Sequence, residues 1–397
     1  MMQSGSSRWV LVFSSLGHAY MHMLTAFFFV LALALEHTWD MPYHELVRLW
    51  ALGALMVGAA AIPAGWLADR WSAPGMLVVM FFGMGIACFA CSLSDSSSSL
   101  MLGLTFLGLF AAIYHPVGIP WLVRSVTAGG KALGVNGIFG GLGVAFAGTA
   151  AGLLVDSLGW RAAFAVPGAA CVATGAVMFW AWRKGLLPEG RQPEITGRDL
   201  DRSALMKVFA ALMLGMFCLG FIYQACLTAF PKLFDMKLGS VMGEGTLGVG
   251  LLITFVYGVS AVFQVVGGHL ADRYSLKWIY LGGFALQVPL LFALSQLSGI
   301  SLVAGATLTV LVMTASQPAE SMLLSRYSPA AYQGFAFGVK FVLAFGAAPL
   351  AISLVSWLLA GPDGGVRLFV ALAALSGLGA LAVGTLPRDA SRAVALG

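Results

Sequence analysis

The sequence predicts an all-α membrane protein in which twelve transmembrane helices form two pseudo-symmetric six-helix bundles. Three observations lead to this prediction: the composition, the number of long apolar runs and a repeat that relates the two halves. Of the 397 residues, 60% are hydrophobic and only 9% are charged, whereas soluble domains carry about 25% charged residues. A soluble fold of this composition would present an apolar surface and aggregate. The chain is therefore expected to lie in a lipid bilayer.

The charge and the motifs of the chain exclude several function classes. The formal net charge is +5, but the basic residues are spread between apolar runs and form no stripe that would bind nucleic acid. The five cysteines lie inside apolar runs, and the Cys88/Cys91 pair has no second pair to complete a metal site. The sequence contains no Walker motif, G-x-S-x-G element, zinc-ligand spacing or dinucleotide fingerprint. We therefore expect no enzyme activity and no bound cofactor.

Twelve apolar runs are each long enough to cross a membrane, which takes roughly 20 mostly apolar residues. The first run is too long for the apolar region of a signal peptide, so it is counted as a membrane helix. The predicted spans are 9–35, 47–68, 75–94, 99–123, 132–156, 161–182, 204–230, 246–271, 277–297, 299–323, 332–358 and 366–386.

The distribution of Lys and Arg predicts the orientation of the spans. An even number of spans places both termini on one face, which receives 15 of the 21 basic residues, while the other face receives five and Lys340 lies within a span. We expect a multi-pass protein of the bacterial inner (plasma) membrane, and this bias predicts that both of its termini lie in the cytoplasm. The longest polar stretch is predicted to be a flexible cytoplasmic linker, 183–203, between bundles at 1–182 and 204–397.

An internal duplication relates the two halves. The second span ends in G-W-L-A-D-R-W-S at 65–72 and the eighth ends in G-H-L-A-D-R-Y-S at 268–275, so six of eight positions are identical at an offset of 203 residues. A second echo, at an offset of 202, relates His-Pro at 115–116 and the arginine at 124 to Gln-Pro at 317–318 and the arginine at 326. An offset of six spans preserves the direction of each helix, so the halves are predicted to be parallel copies.

The repeated G-x-L-A-D-R element predicts a gate. Its glycine allows a neighbouring helix to approach closely, its aspartate can accept from backbone amides at a positive helix terminus, and its arginine can bridge the gap between the halves. Such contacts would lock one face and break when the halves rock. The predicted gating residues are Gly65, Asp69, Arg70, Gly268, Asp272, Arg273, Arg124 and Arg326.

The G-x-L-A-D-R element after the second span, with its copy after the eighth, resembles the major facilitator superfamily along essentially the whole chain. Within it, S-L-G-H at 15–18, I-Y-H-P-V-G at 113–118 and G-I-F-G-G-L-G at 137–143 resemble the fosmidomycin-resistance branch of efflux carriers. The sequence has Val117 where that branch has glutamate, and Gly-Thr at 148–149 where drug antiporters have glycine-proline. The resemblance implies a monomeric secondary transporter that works by alternating access, with its substrate bound between the halves.

Three histidines within the spans are functional candidates, because ionisable side chains in lipid are costly. His18 and His22 are four residues apart and lie on one helix face, and His115 follows Tyr114 in the fourth span. The resemblance places the first and fourth helices around one half of the cavity, so these side chains can converge. Three hypotheses stay open: proton exchange, binding of a transition metal by His18, Met21 and His22, and hydrogen bonds to neighbouring helices.

The second half supplies Glu320 and Lys340 as further candidates. Glu320 is either a proton carrier or a partner of Arg326 near the end of its span. Lys340 either neutralises Glu320, binds an anionic substrate or extends to the membrane surface. Tyr114, Asn136 and Gln317 complete the predicted substrate and proton pathway.

The leading functional prediction is proton-coupled efflux of a small organic or anionic compound, with protons as the coupling ion. One alternative is an importer of a transition metal or a metal chelate that uses His18, Met21 and His22. Another is a sensor or assembly factor that does not transport and has kept the scaffold of a transporter. The sequence names neither the substrate nor the direction of transport.

Overall fold

The computed structural model of the chain describes residues 4–125, 129–189, 202–243, 245–328 and 333–387. All regular secondary structure in these ranges is helical. These helices, some of them joined end to end, form twelve spans that are long and apolar enough to cross a membrane. The predicted fold class is therefore confirmed.

Six spans build the first half of the chain, and several of them are interrupted. Their helices are α1 (Ser4–Ala26), α2 (Phe28–Trp39), α3 (Tyr43–Leu46), a 3₁₀ turn (Val47–Trp50), α4 (Ala51–Ala59), α5 (Ala61–Arg70), α6 (Ala73–Ser92), α7 (Ser97–Ala111), a π-helical turn (Tyr114–Gly118), α8 (Ile119–Ser125), α9 (Gly129–Leu158) and α10 (Trp160–Arg183). Spans one, two and four are thus made of two or more helical pieces.

Six continuous helices build the second half. They are α11 (Arg202–Met242), α12 (Leu247–Arg273), α13 (Leu276–Leu294), α14 (Gly299–Tyr327), α15 (Gln333–Leu359) and α16 (Gly364–Gly384). Both copies of the repeated element end a helix at their arginine, α5 at Arg70 and α12 at Arg273.

The seventh span is longer than the sequence predicted. The predicted end at 230 is wrong, because α11 continues through Pro231 to Met242. Proline removes one backbone hydrogen bond, but the following turn is held by Lys232, whose ammonium contacts Glu36 at 2.5 Å and Asp235 at 3.3 Å. These tertiary contacts favour the continued helix.

Large apolar side chains on the outside of the bundle identify the surface that lipid covers. Ile300, Leu381 and Trp357 are 83%, 74% and 73% exposed in the isolated chain. Water would oppose such exposure at about 25 cal/mol per Å² of apolar surface, whereas lipid tails do not. The core contains a continuous set of buried apolar residues from both halves.

The two halves meet closely along α9 and α12. A Cβ atom at Gly148 would lie 2.6 Å from the carbonyl oxygen of Gly250, and one at Gly152 would lie 2.6 Å from Cα of Leu247. Thr149 and Thr254 hydrogen bond across the same interface at 2.6 Å. The glycine-rich fifth span therefore packs backbone to backbone against the opposite half, as small residues allow in membranes.

Only part of the predicted linker 183–203 belongs to the described residues, because 190–201 lies outside them. The described start is bound to the first half. Glu189 accepts hydrogen bonds from Ser72 Oγ at 2.7 Å and from the backbone N–H of Ala73 at 3.1 Å, and Trp121 donates to the Pro188 carbonyl at 2.7 Å. Glu189 thereby caps α6, where a negative charge is favourable. The division into bundles at 1–182 and 204–397 stays a prediction.

Candidate functional site

A cavity of about 400 Å³ lies between the two halves. The described residues that line it come from α1, the 3₁₀ turn, α4, the π-helical turn, α8 and α9 of the first half, and from α11, α12, α14 and α15 of the second. The candidates from the sequence that face this cavity are His18, Met21, His22, His115, Gln317, Glu320 and Lys340. The duplicated halves therefore contribute different chemistry to one shared space.

The three histidines form a compact cluster on the wall that belongs to the first half. The ring centroids of His18 and His22 are 4.9 Å apart, and each lies 5.3 Å from the centroid of His115. His18 is eleven residues from the start of the first span at Ser7, or about 16 Å along the helix. The cluster therefore lies well inside the first span, away from both of its ends.

His18 is held in place by a buried polar network. Its Nδ1 lies 2.8 Å from the carbonyl oxygen of Asn136, and its ring stacks on Tyr114 with centroids 4.8 Å apart. The Asn136 amide donates to Tyr114 Oη at 2.8 Å and to Ser14 Oγ at 3.1 Å. Gly140 leaves the room that the ring needs, since a Cβ atom there would lie 2.5 Å from its Cε1.

Tyr114 and Asn136 do not line the cavity. Both were predicted to belong to the substrate and proton pathway. The structure places them behind His18, outside the set of residues that line the cavity. Their contacts fix the orientation of His18, and their part in a substrate and proton pathway stays a prediction.

His115 is brought to the cavity by the π-helical turn at Tyr114–Gly118. Such turns interrupt the regular hydrogen-bond ladder and are frequent at functional sites, and Pro116 within this turn cannot donate a backbone hydrogen bond. The His115 side chain is buried, and neither of its ring nitrogens has a hydrogen-bond partner among the described residues. Phe341 and Phe345 of α15 cover the ring, with centroids 4.6 and 5.0 Å away.

A buried ion pair lies on the wall that belongs to the second half. Lys340 Nζ donates to Glu320 Oε1 at 2.8 Å and to Ser321 Oγ at 2.7 Å, and Tyr280 donates to Glu320 Oε2 at 2.9 Å. Of the roles the sequence left open, the structure shows Lys340 neutralising Glu320. Glu320 lies seven residues before the end of α14 at Tyr327, and Lys340 lies seven residues after the start of α15 at Gln333. These two helix ends are on the same face of the bundle.

A pair of amides adds uncharged hydrogen-bonding groups beside the ion pair. The Gln264 amide of α12 donates to Gln317 Oε1 of α14 at 3.1 Å, and both side chains line the cavity. Gln317 is the counterpart of His115 in the duplication, so one position bears an imidazole in the first half and an amide in the second.

The predicted gating residues of the first half lie at what we term the basic face, which carries Arg70, Arg124, Arg273 and Arg326. Arg124 contacts Asp69 at 3.4 Å, with both side chains substantially exposed. Arg70 lies over the Trp66 ring at 4.1 Å. A Cβ atom at Gly65 would meet Pro116 at 3.2 Å. All of these contacts lie within the first half and none of them bridges the two halves.

In the second half, the close approach predicted at Gly268 occurs one residue earlier. A Cβ atom at Gly268 would meet no atom of the described residues within 4 Å, whereas one at Gly267 would clash with the backbone of Ala315. The expectation for Gly268 is therefore wrong. Successive residues point about 100° apart around a helix, so the repeat located the right turn of α12 but the wrong face. Asp272 and Arg273 end this helix, and Arg326 lies in the last turn of α14.

The other end of the bundle, the opposite face, is closed by contacts that the sequence did not suggest. Asp156 at the end of α9 accepts from the backbone N–H of Thr246 at 2.9 Å, from its hydroxyl at 2.9 Å and from the N–H of Leu247 at 2.8 Å. The carboxylate therefore caps the first turn of α12 across the boundary between the halves. An acidic residue at the end of its own helix is unfavourable locally, which is the signal that could have revealed this contact.

Further contacts join the halves at the opposite face, among them a hydrogen bond from Ser356 Oγ to the His44 carbonyl oxygen at 2.6 Å. Lys232 contacts Glu36 of α2 at 2.5 Å, and the hydroxyl of Tyr43 donates to the carbonyl oxygen of Thr228 at 2.7 Å. Glu36 is also an acidic residue near the end of a helix. Together with the Asp156 cap, these contacts hold the two halves together at the opposite face.

Comparison with known proteins identifies the family. A sequence model of the Major Facilitator Superfamily matches residues 11–249, more than half of the chain. The chain belongs to this superfamily. Membership and fold together indicate a secondary transporter of small molecules rather than an enzyme. The fosmidomycin-resistance branch stays a prediction.

Two relatives of this superfamily member are named for resistance to a compound and for extrusion of an anion. It is 31% identical to a chloramphenicol resistance protein of Pseudomonas aeruginosa over 241 residues, or 56% of this chain and 52% of that protein. It is 25% identical to a nitrite extrusion protein of Bacillus subtilis over 244 residues, or 61% of this chain and 59% of that protein. The chain thus spans between half and two thirds of the length of these relatives.

A solved transporter structure shares the fold. A bacterial homologue of the human lysosomal transporter Spinster, in an inward-facing and occupied conformation, superimposes with a TM-score of 0.75 over 96% of this chain and 97% of that chain, at 13% identity. Identity at this level shows a common fold and nothing about the substrate.

Proposed function

We propose that this protein is a proton-coupled exporter of small organic compounds in the bacterial inner membrane, with both termini in the cytoplasm. The observation that supports this proposal most is the Glu320–Lys340 pair in the cavity between the halves. Among the described residues that line the cavity, Glu320 is the only carboxylate. A transporter that exchanges protons for substrate needs one group that can bind either the proton or the substrate. Glu320 has a suitable position for this role.

The size and lining of the cavity favour an organic substrate. A volume of about 400 Å³ corresponds to roughly 13 water molecules at about 30 Å³ each, which suits a compound larger than an inorganic ion. Apolar side chains such as Phe341 and Phe345 supply most of the wall, and Gln264, Gln317 and Tyr257 supply hydrogen-bonding groups. Few polar groups in an apolar pocket are typical of sites for small organic ligands.

Competition at Glu320 gives the exchange its direction. A substrate that donates hydrogen bonds or carries a positive charge interacts best with the ionised carboxylate, so it binds when the proton is absent. Protonation from the opposite face removes that interaction and releases the substrate there. Export against a gradient is then driven by protons that move inward. The names of the two relatives, which refer to resistance and extrusion, support the outward direction.

A second candidate is transport of an anion, favoured by Lys340 and by the nitrite extrusion relative. An anion that occupies Lys340 leaves the buried Glu320 carboxylate without its partner, and an uncompensated buried charge is costly. Glu320 would then take up a proton, so anion and proton would move in the same direction. The sign of the accompanying proton movement therefore separates the two candidates.

Purified protein in liposomes tests both candidates. Chloramphenicol and nitrite serve as probes, with a pH-sensitive dye inside the vesicles. We expect an imposed proton gradient to drive chloramphenicol in the direction opposite to the protons. Glu320→Gln should abolish this gradient-driven transport, while exchange of labelled for unlabelled compound persists. Glu45→Gln, on an exposed carboxylate outside the cavity, is the matched control. Nitrite movement together with protons would favour the second candidate, and gradient-driven transport that persists in Glu320→Gln would reject the role of Glu320.

A further inference from the structure

We propose that His18, His22 and His115 form a binding site for one divalent transition-metal ion of the Zn²⁺ class. This inference does not depend on which organic compound the cavity carries. One candidate ligand nitrogen from each of the three side chains lies within 4.8 Å of the other two. No other group of three or more histidine, cysteine or acidic residues with this geometry occurs among the described residues.

The distances suit a metal ion after small ring rotations. Zinc–nitrogen bonds of 2.0–2.1 Å in a tetrahedral site place the ligand nitrogens about 3.4 Å apart. His22 and His115 make no ring hydrogen bond among the described residues that such a rotation would break. His18 is the fixed member of the cluster, and the other two can close toward it.

The orientation of His18 follows the usual arrangement of a metal ligand. Metal-binding histidines almost always donate their second ring N–H to a carbonyl or a carboxylate, which fixes the tautomer. Nδ1 of His18 lies 2.8 Å from the Asn136 carbonyl oxygen, which can only accept. Nδ1 therefore carries the proton, and Nε2 presents its lone pair for coordination.

His115 is the observation that argues against a purely structural role. Its side chain is 7% exposed, and both ring nitrogens are buried without a hydrogen-bond partner. Buried polar groups are nearly always satisfied, and leaving one unpaired costs about 1–3 kcal/mol. A bound ion would supply the missing partner.

The donor set defines the class of ion. Three neutral imidazoles suit Zn²⁺, Co²⁺, Ni²⁺ or Cu²⁺, whereas Mg²⁺ and Ca²⁺ require oxygen ligands. The nearby positive charge of Lys340 is balanced by Glu320, so a bound metal ion would not lie beside an unpaired ammonium group. His22 is only half-buried and faces the cavity, which leaves a fourth position for water or an anionic group. Met21 also lines the cavity but lies outside the three-histidine group.

Co²⁺ provides a direct spectroscopic test. We expect tag-free protein in detergent to bind one Co²⁺ per chain with the intense visible bands of a four- or five-coordinate ion, and one equivalent of Zn²⁺ to abolish those bands. His22→Gln and His115→Gln should each weaken Zn²⁺ binding at least about 100-fold, more than the 10–100-fold typical for outer-shell changes. His269→Gln, on an exposed histidine of α12, is the matched control and should bind normally.

Thermal unfolding distinguishes a lost site from a lost fold. Zn²⁺ should raise the melting temperature of the wild type and of His269→Gln, because a ligand stabilises the state that binds it. Zn²⁺ should leave the melting temperature of His22→Gln unchanged. This variant should still fold, because the His22 ring makes no hydrogen bond to the described residues that the substitution would remove. Absence of the Co²⁺ bands in the wild type would overturn the proposal. So would unweakened Zn²⁺ binding in a folded His18→Gln/His22→Gln/His115→Gln variant.

Discussion

The cap that Asp156 provides to α12 makes a quantitative prediction about the balance between conformations. Removal of the carboxylate in Asp156→Ala deletes hydrogen bonds to two backbone N–H groups and to the Thr246 hydroxyl. Loss of a capping side chain costs about 0.5–2 kcal/mol. Because this carboxylate is exposed, we take a value of about 1.5 kcal/mol, which lowers the ratio of closed to open opposite face roughly tenfold.

Distances between spin labels across the opposite face measure this ratio. Ser98→Cys in the first half and Pro362→Cys in the second are exposed positions at that face, and the five native cysteines are buried. In the Asp156→Ala background, we expect the longer of two distance populations to grow, since the contacts that join α9 to α12 no longer hold the halves together. Asp156→Asn keeps one acceptor oxygen and should produce a smaller shift.

Ser157→Ala is the matched control for this experiment. Ser157 is exposed, adjoins Asp156 and bonds only to a carbonyl of its own helix, that of Leu153. Its removal should leave the distance distribution unchanged. If Asp156→Ala and Ser157→Ala give the same distribution as the wild type, the cap does not stabilise the closed face and the reasoning fails.

Three further predictions concern the cavity walls and the interface. Glu320→Gln should lower the free energy of unfolding by about 3 kcal/mol, observed as a lower melting temperature, because it leaves the buried charge of Lys340 without a partner. The double variant Glu320→Gln/Lys340→Met should regain most of this loss, and failure to do so would refute the pairing. Gly140→Ala should cost about 1 kcal/mol in thermal unfolding, because the new Cβ displaces His18 from its hydrogen bond. Gly148→Leu should reduce gradient-driven transport severely at normal expression, because α9 and α12 could no longer approach; unchanged transport would show that this contact is dispensable.

The sequence predicted the features that depend on period and repetition. Apolar runs of fixed length give the twelve helices, and the offset of 203 residues gives the parallel halves. The i, i+4 spacing of His18 and His22 placed them on one face without any knowledge of tertiary structure. Such features follow from local geometry, which the order of residues specifies directly.

Features that depend on which helices meet were harder to predict. Glu320 had two possible partners because the sequence does not say which faces of α14 and α15 are opposed. Asn136 resembled a cavity residue because an amide in a membrane helix suits water or a neighbouring helix equally. The position of Asp156 at the end of its own helix signals that it needs a partner, but the sequence does not identify that partner, because the hydrogen bonds go to backbone groups 90 residues away. The π-helical turn before His115 likewise depends on packing around Pro116.

The two phenylalanines that cover His115 have a consequence for the timing of transport. The histidines belong to one half, while Phe341 and Phe345 belong to the other. When the halves rock, the aromatic surface must leave the imidazole, and water or a ligand must take its place. The hydration of a single ring therefore changes in step with each cycle.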